Sequence, residues 1–224
     1  MIENKLKIQK ETLTRQVVDL ITHRILRGEL KSGQRIWAAD LAEEFGVSLI
    51  PVKEALLILQ GEGLITNISR RGSVVRQFTS RDVHELIMVR ELIETHAADY
   101  AIADGRVDDK LISDLTRHNE AIGAARDKEG GFAKPALSYD HDRRFHDILV
   151  RACGNNLLME WYQRLNTQVQ IIRFAFWNIN PRGDQTYNEH NAIIRGMRSR
   201  NPGTAKEAIK AHLESIAKDF DRAA

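Results

Sequence analysis

The stretch Val47 to Gly63, reading VSLIPVKEALLILQGEG, constrains this chain more than any other, because it has the marks of a helix built for insertion into something. Ser48 supplies an N-cap. Pro51 falls in the first turn, where a missing backbone N–H costs nothing, and Gly61 and Gly63 supply the positions at which a helix stops. Val52, Ala55, Leu56 and Leu59 recur at i, i+3, i+4, i+7 and so form one stripe that faces a core, while Leu49, Ile50 and Lys53 point elsewhere. Just upstream, Ala39 to Phe45 reads as a short helix closed by Gly46, so only Gly46, Val47 and Ser48 separate the two: a helix-turn-helix. Downstream, Leu64 to Ile68, a basic turn Ser69-Arg70-Arg71-Gly72, and Ser73 to Phe78 alternate as a hairpin does. Helices, tight turn and basic hairpin together predict a winged helix-turn-helix.

The flanking sequence agrees with that unit. Thr12 to Arg27 is amphipathic through Leu13, Val17, Leu20, Ile21 and Ile25, with Gly28 as its stop, and Gln34 to Trp37 suits a short strand beside the wing. After the hairpin, Thr79-Ser80 and Asp82 open a long helix to about Ala103. Five more helices are expected: Asp108 to about Lys128, Ser138 to about Cys153, Asn156 to about Asn178, Asp184 to Arg198, and Thr204 to about Arg222. Glycine and proline mark the breaks, among them Gly130-Gly131 with Pro135, Gly154, Pro181 and Pro202. The expected fold is mainly α: a winged helix-turn-helix with a small β-hairpin wing over residues 1–78, then an all-helical bundle over 79–224.

Composition excludes some classes. The longest apolar run, Ala55 to Leu59, is far short of the roughly 20 residues a membrane span needs. The first residues lack the apolar block of a secretory signal, and one cysteine, Cys153, forms no internal disulfide, so a cytoplasmic location is expected. Residues 1–78 hold 12 Lys/Arg against 9 Asp/Glu, and the rest 21 against 22, so the small excess of positive charge lies in the helix-turn-helix half. That asymmetry is too weak to establish a nucleic-acid partner, which therefore rests on pattern.

The run Val47 to Leu56, preceded by Leu41-Ala42 and followed by Glu62-Gly63-Leu64 and Arg71-Gly72, resembles the GntR family of bacterial transcription regulators. The C-terminal half is similar to the helical ligand-binding (FCD) domain of that family's FadR-type branch, through Arg90 and Glu94 in VRELIE, the segment DRRFH, and later His190 and His212. The resemblance implies a homodimer on a near-palindromic duplex operator, read by Ser48, Leu49, Ile50 and Lys53, with Arg70 and Arg71 of the wing and Arg35 behind them. Two departures stand out. The family places arginines where this chain has Leu49 and Lys53, and a small hydroxyl residue where it has Ile50. Lys53 reaches phosphate but lacks the fork that reads guanine, a difference of about 1–3 kcal/mol in discrimination. Leu49 and Ile50 suit thymine methyl groups, or equally burial against a partner.

Asp142 and His146 are spaced i, i+4 beside Phe145 and Leu149, and His190 and His212 each lie on or near an apolar stripe. One carboxylate with three imidazoles suits Zn²⁺, Ni²⁺ or Mn²⁺ with coordination positions left open. A lone histidine on an apolar face is more often a core residue; the joint pattern, at positions matching the metal-binding version of the resembled domain, points to a metal site. His23, His84, His96, His118 and His141 lack such support and read as surface or packing residues. The resemblance further implies that Arg90 grasps an anionic effector with Glu94 orienting it, an ordinary ion pair being the alternative, and that Arg173 lines the same cavity. A small organic acid held by guanidinium and metal follows. The leading function is a DNA-binding regulator, not an enzyme; the alternative is a metal-dependent enzyme using the Asp/His₃ site, for which no general base is evident.

Overall fold

The computed structural model describes residues 13–67, 72–126, 135–177 and 182–223. The chain divides into two compact units, Met1–Gln77 and Phe78–Ala224.

In the first unit, α1 (Leu13–Leu26) and α2 (Ala38–Phe45) accompany α3 (Leu49–Gly61), and β1 (Arg35–Ile36), β2 (Ile65–Asn67) and β3 (Ser73–Val75) form an antiparallel sheet in the order β1-β3-β2. Ile65 pairs with Val75 and Arg35 with Val74, so β1 does join the wing. The strands are shorter than the alternation suggested, and the basic residues Arg70 and Arg71 lie outside the described residues. Val52, Ala55, Leu56 and Leu59 of α3 are buried, as their spacing requires. The α1 stripe needs correction. Val17, Ile21 and Ile25 are buried, but Val18 joins them, whereas Leu13 and Leu20 are 48% and 44% exposed. At 100° per residue the buried arc centres between Val17 and Val18, which swings Leu20 more than a right angle away. Gly46 adopts φ +64 and ends α2 in the left-handed conformation that glycine accepts most readily. Ser48 occupies the N-cap of α3 with extended backbone, yet its hydroxyl makes no capping bond.

The second unit is helical, and no strand follows β3 among the described residues. Its elements are α4 (Ser80–Ala103), α5 (Asp109–Ala124), α6 (Pro135–Arg151), α7 (Asn156–Trp177), α8 (Gly183–Arg198) and α9 (Pro202–Ala223). Thr79 and Asp82 form a reciprocal capping box at the start of α4, and Asp108 caps α5. α6 begins at Pro135, three residues before the expected Ser138, because proline's fixed φ and missing N–H suit a first helical turn as well as a break. Helix α4 packs along α9 and touches α6 and α7, and α8 packs against α9 and α5. One core joins Ala98, Ala101, Leu115, Phe145, Leu149, Ile193, Met197, Ile209 and Leu213, and a second joins Val150, Cys153, Met159 and Tyr162. Cys153 is thus a packed thiol. No described helix is long and apolar enough to cross a membrane.

Candidate functional site

Where α6, α8 and α9 meet, three histidines converge. His146, His190 and His212 each offer a ring nitrogen within 4.8 Å of the others, and none is more than 1% exposed. Asp142, one turn before His146, places Oδ1 at 3.5 Å from His190 Nε2 and 3.9 Å from His146 Nε2. The four residues expected from the sequence to hold a metal therefore share one buried place. Phe145 aligns His190: the two rings stack at 4.0 Å with 5° between their planes.

Each of the two outer imidazoles is held from behind by a carboxylate. His146 Nδ1 meets Glu94 Oε2 at 2.8 Å, and His212 Nδ1 meets Glu189 Oε2 at 2.8 Å. A carboxylate is an acceptor, so each contact places a ring proton on Nδ1, and in the neutral ring that leaves the lone pair on Nε2. Burial pushes the His146 imidazole below its ordinary pKa, favouring the neutral, ligating form. Its Nε2 is buried without a hydrogen-bond partner. Three buried imidazoles, an acid one turn from the first, and two Nδ1 atoms anchored by carboxylates are the donor set and outer support that a first-row divalent cation uses, so the residues fit such an ion.

Glu94 sits at the centre of a second network. Its carboxylate accepts from Arg90 Nε at 2.8 Å and from Tyr162 Oη at 2.8 Å in addition to the His146 contact. Burial alone would raise this carboxyl; the Arg90 guanidinium and the hydrogen bonds outweigh it and hold the group well below the usual carboxylate range. Burial, and then the Glu94 charge, raise the Tyr162 phenol, which stays protonated as a donor. Arg90 and Glu94 thus form the buried i, i+4 ion pair that the sequence allowed, at 2% and 0% exposure, and that pair touches the histidine cluster. Arg173 lies on α7, with its side chain outside the described residues.

Sequence reasoning missed the opposite flank. Arg182, 2% exposed, donates through Nη2 to Glu189 at 3.0 Å and to Ser215 Oγ at 2.6 Å, and through Nη1 to the Ser215 carbonyl at 2.9 Å and to Asp219. The one signal was a glutamate directly before His190. Of the remaining histidines, His118 and His141 pack Nδ1 to Nδ1 at 2.9 Å, and His84 meets Asp221 at 2.9 Å.

In the first unit, Ser48, Leu49, Ile50 and Lys53 are exposed at the start of α3, with Leu57 continuing their face. Leu49, Lys53 and Leu57 line a groove of about 420 Å³ together with Trp37 and, at the wing base, Gly72 and Ser73. Arg35 is exposed on β1 with its guanidinium 5.8 Å from the Trp37 ring.

A three-stranded wing on a helix-turn-helix, followed by a separate helical domain, is the architecture of a DNA-binding protein. Residues 13–75 match the model for bacterial regulatory proteins of the gntR family, and residues 85–215 match that for the FCD domain. The chain belongs to the GntR family of transcription regulators, in its FadR-type branch, and is a DNA-binding transcription regulator. It is 28% identical over 201 residues to the gluconate operon transcriptional repressor of Bacillus licheniformis, covering 88% of this chain and 78% of that one. A GntR transcriptional regulator from Rhodococcus sp. RHA1 shares the fold with a TM-score of 0.76 at 19% identity, over 94% of this chain and 98% of that one. A solved structure described as a Zn²⁺-bound FCD domain of a transcriptional regulator aligns with a TM-score of 0.53 at 21% identity, over 65% of this chain and 96% of that one.

Proposed function

We propose that this regulator holds one divalent cation, Zn²⁺, Ni²⁺ or Mn²⁺, on Asp142, His146, His190 and His212, and that a small organic acid bound beside it modulates operator binding. The observation that carries the reading is the convergence of three buried imidazoles on Asp142, with two of the rings anchored through Nδ1 by Glu94 and Glu189. Such a cation supplies a Lewis-acidic anchor for a carboxylate oxygen. The zinc named in the FCD structure above is in keeping with this. Arg90, oriented by Glu94, adds a guanidinium beside the cluster, and Arg173 of α7 is proposed as a further contact to the acid.

Ser48, Leu49, Ile50, Lys53, Arg35, Arg70 and Arg71 are the proposed DNA contacts, within a cytoplasmic homodimer on a near-palindromic site. Two-fold symmetry doubles the few base pairs that one helix reads. Exposed Met88 and Leu92 of α4 and Leu157 and Trp161 of α7 give the helical unit apolar surface for self-association. An effector acts only through unequal affinity for two arrangements of the dimer.

The test is a titration of metal-loaded protein against an operator recovered by selection from genomic fragments, with and without a panel of small carboxylic acids. One acid should shift operator affinity roughly 5- to 150-fold. Unchanged affinity in the presence of an acid shown by calorimetry to bind contradicts the proposal.

A further inference from the structure

The two carboxylates behind the histidine cluster differ in what lies behind them. Glu94 leads back to Arg90 on its own helix and to Tyr162 on α7. Glu189 leads instead to α9: it accepts from Arg182 and from Ser215 Oγ at 2.5 Å, and Arg182 reaches on to Asp219. His212, Ser215 and Asp219 fall at i, i+3, i+7 and so form one face of the C-terminal half of α9, held by Arg182, which directly precedes α8, and by Glu189 in its second turn. Two residues beyond Asp219, Asp221 accepts from Ser80 Oγ at 2.5 Å and meets His84 Nε2 at 2.9 Å. Those partners belong to the first turns of α4, which directly follow the DNA-binding unit in the chain.

We infer that Glu189 and Arg182 are positioning residues: they fix His212 for the cation and tie occupancy of the cluster to the C-terminal turns of α9 and hence to the start of α4. The physical ground is that a cation on Nε2 would polarise the ring and strengthen the Nδ1–H bond to Glu189, and that Arg182 Nη2, which contacts both oxygens of that carboxylate, leaves it little freedom to move. The inference rests on the metal reading above.

The experiment uses the full chain as parent, Glu189→Ala, Glu189→Gln and Arg182→Gln. Zn²⁺ affinity is measured by competition with a chromophoric chelator, the visible spectrum is recorded with Co²⁺, and amide exchange is followed with and without Zn²⁺. Glu189→Ala should bind Zn²⁺ about 10- to 100-fold more weakly, with an altered Co²⁺ band. Glu189→Gln, which keeps the shape and one acceptor oxygen, should fall between it and the parent and guards against simple misfolding. The zinc-induced slowing of exchange over residues 80–84 and 216–221 should be lost in Arg182→Gln. Parental Zn²⁺ affinity in both Glu189 variants, or undiminished slowing in Arg182→Gln, overturns the inference while leaving the metal reading in place. A parent chain that takes up no Zn²⁺ overturns both.

Discussion

Tyr162 shows how much one buried donor does in this protein. Its phenol is 1% exposed and gives its proton to Glu94, a carboxylate that water does not reach. Tyr162→Phe keeps the ring and removes the bond, so the charge it served stays buried with one donor fewer, at a cost of about 1.5–3 kcal/mol. Urea unfolding of chelator-treated parent and variant measures that difference, and an unchanged midpoint would contradict the network described. At this scale the sequence was informative about residue types and silent about partners. Asp142 with His146, and Arg90 with Glu94, were legible because i, i+4 spacing places side chains together whatever the rest of the chain does. The contact of His146 with Glu94 spans 52 positions and that of Arg182 with Asp219 spans 37, so both depend on how helices pack, which no local pattern encodes.

The helices themselves were read well where caps and stripes agreed. α3 is bounded as Ser48 and Gly61 suggested, and Thr79 with Asp82 opens α4. Errors arose where a residue has two structural uses: Pro135 starts a helix rather than ending a loop, and Leu20 of α1 faces solvent while Val18 takes its place in the core. Helix contact distance is another property hidden in the sequence. A Cβ added at Gly196 of α8 would lie 2.7 Å from the Ala205 Cα and 3.0 Å from its nitrogen, backbone atoms of α9 that move only with the whole helix. Gly196→Ala should therefore force α8 and α9 apart and destabilise the helical unit by about 1–3 kcal/mol. Thermal unfolding followed by circular dichroism tests this; a variant as stable as the parent would mean that the two helices are less closely set than described. Because His190 rides on α8 and His212 on α9, the same spacing positions the cluster.

For the molecule as a whole, family membership and the two-part architecture emerged from one motif, Val47 to Leu56, together with a histidine pattern far downstream, since both are carried by residue identity rather than by packing. The proposed operator contacts Leu49, Ile50 and Lys53 are exposed side chains whose partner lies outside the chain, so neither sequence nor fold spells out an operator. The claim on which the rest depends is that the helical unit binds a metal through Asp142, His146, His190 and His212. Elemental analysis of metal per chain, on the purified parent and on His146→Ala prepared alongside it, tests this most directly. About one equivalent of a first-row divalent ion is expected in the parent and clearly less in the variant, since removing one of four ligands weakens the hold on the ion. A parent that carries no metal, even after incubation with Zn²⁺, Ni²⁺ and Mn²⁺, would contradict it and return the three histidines to a role in packing.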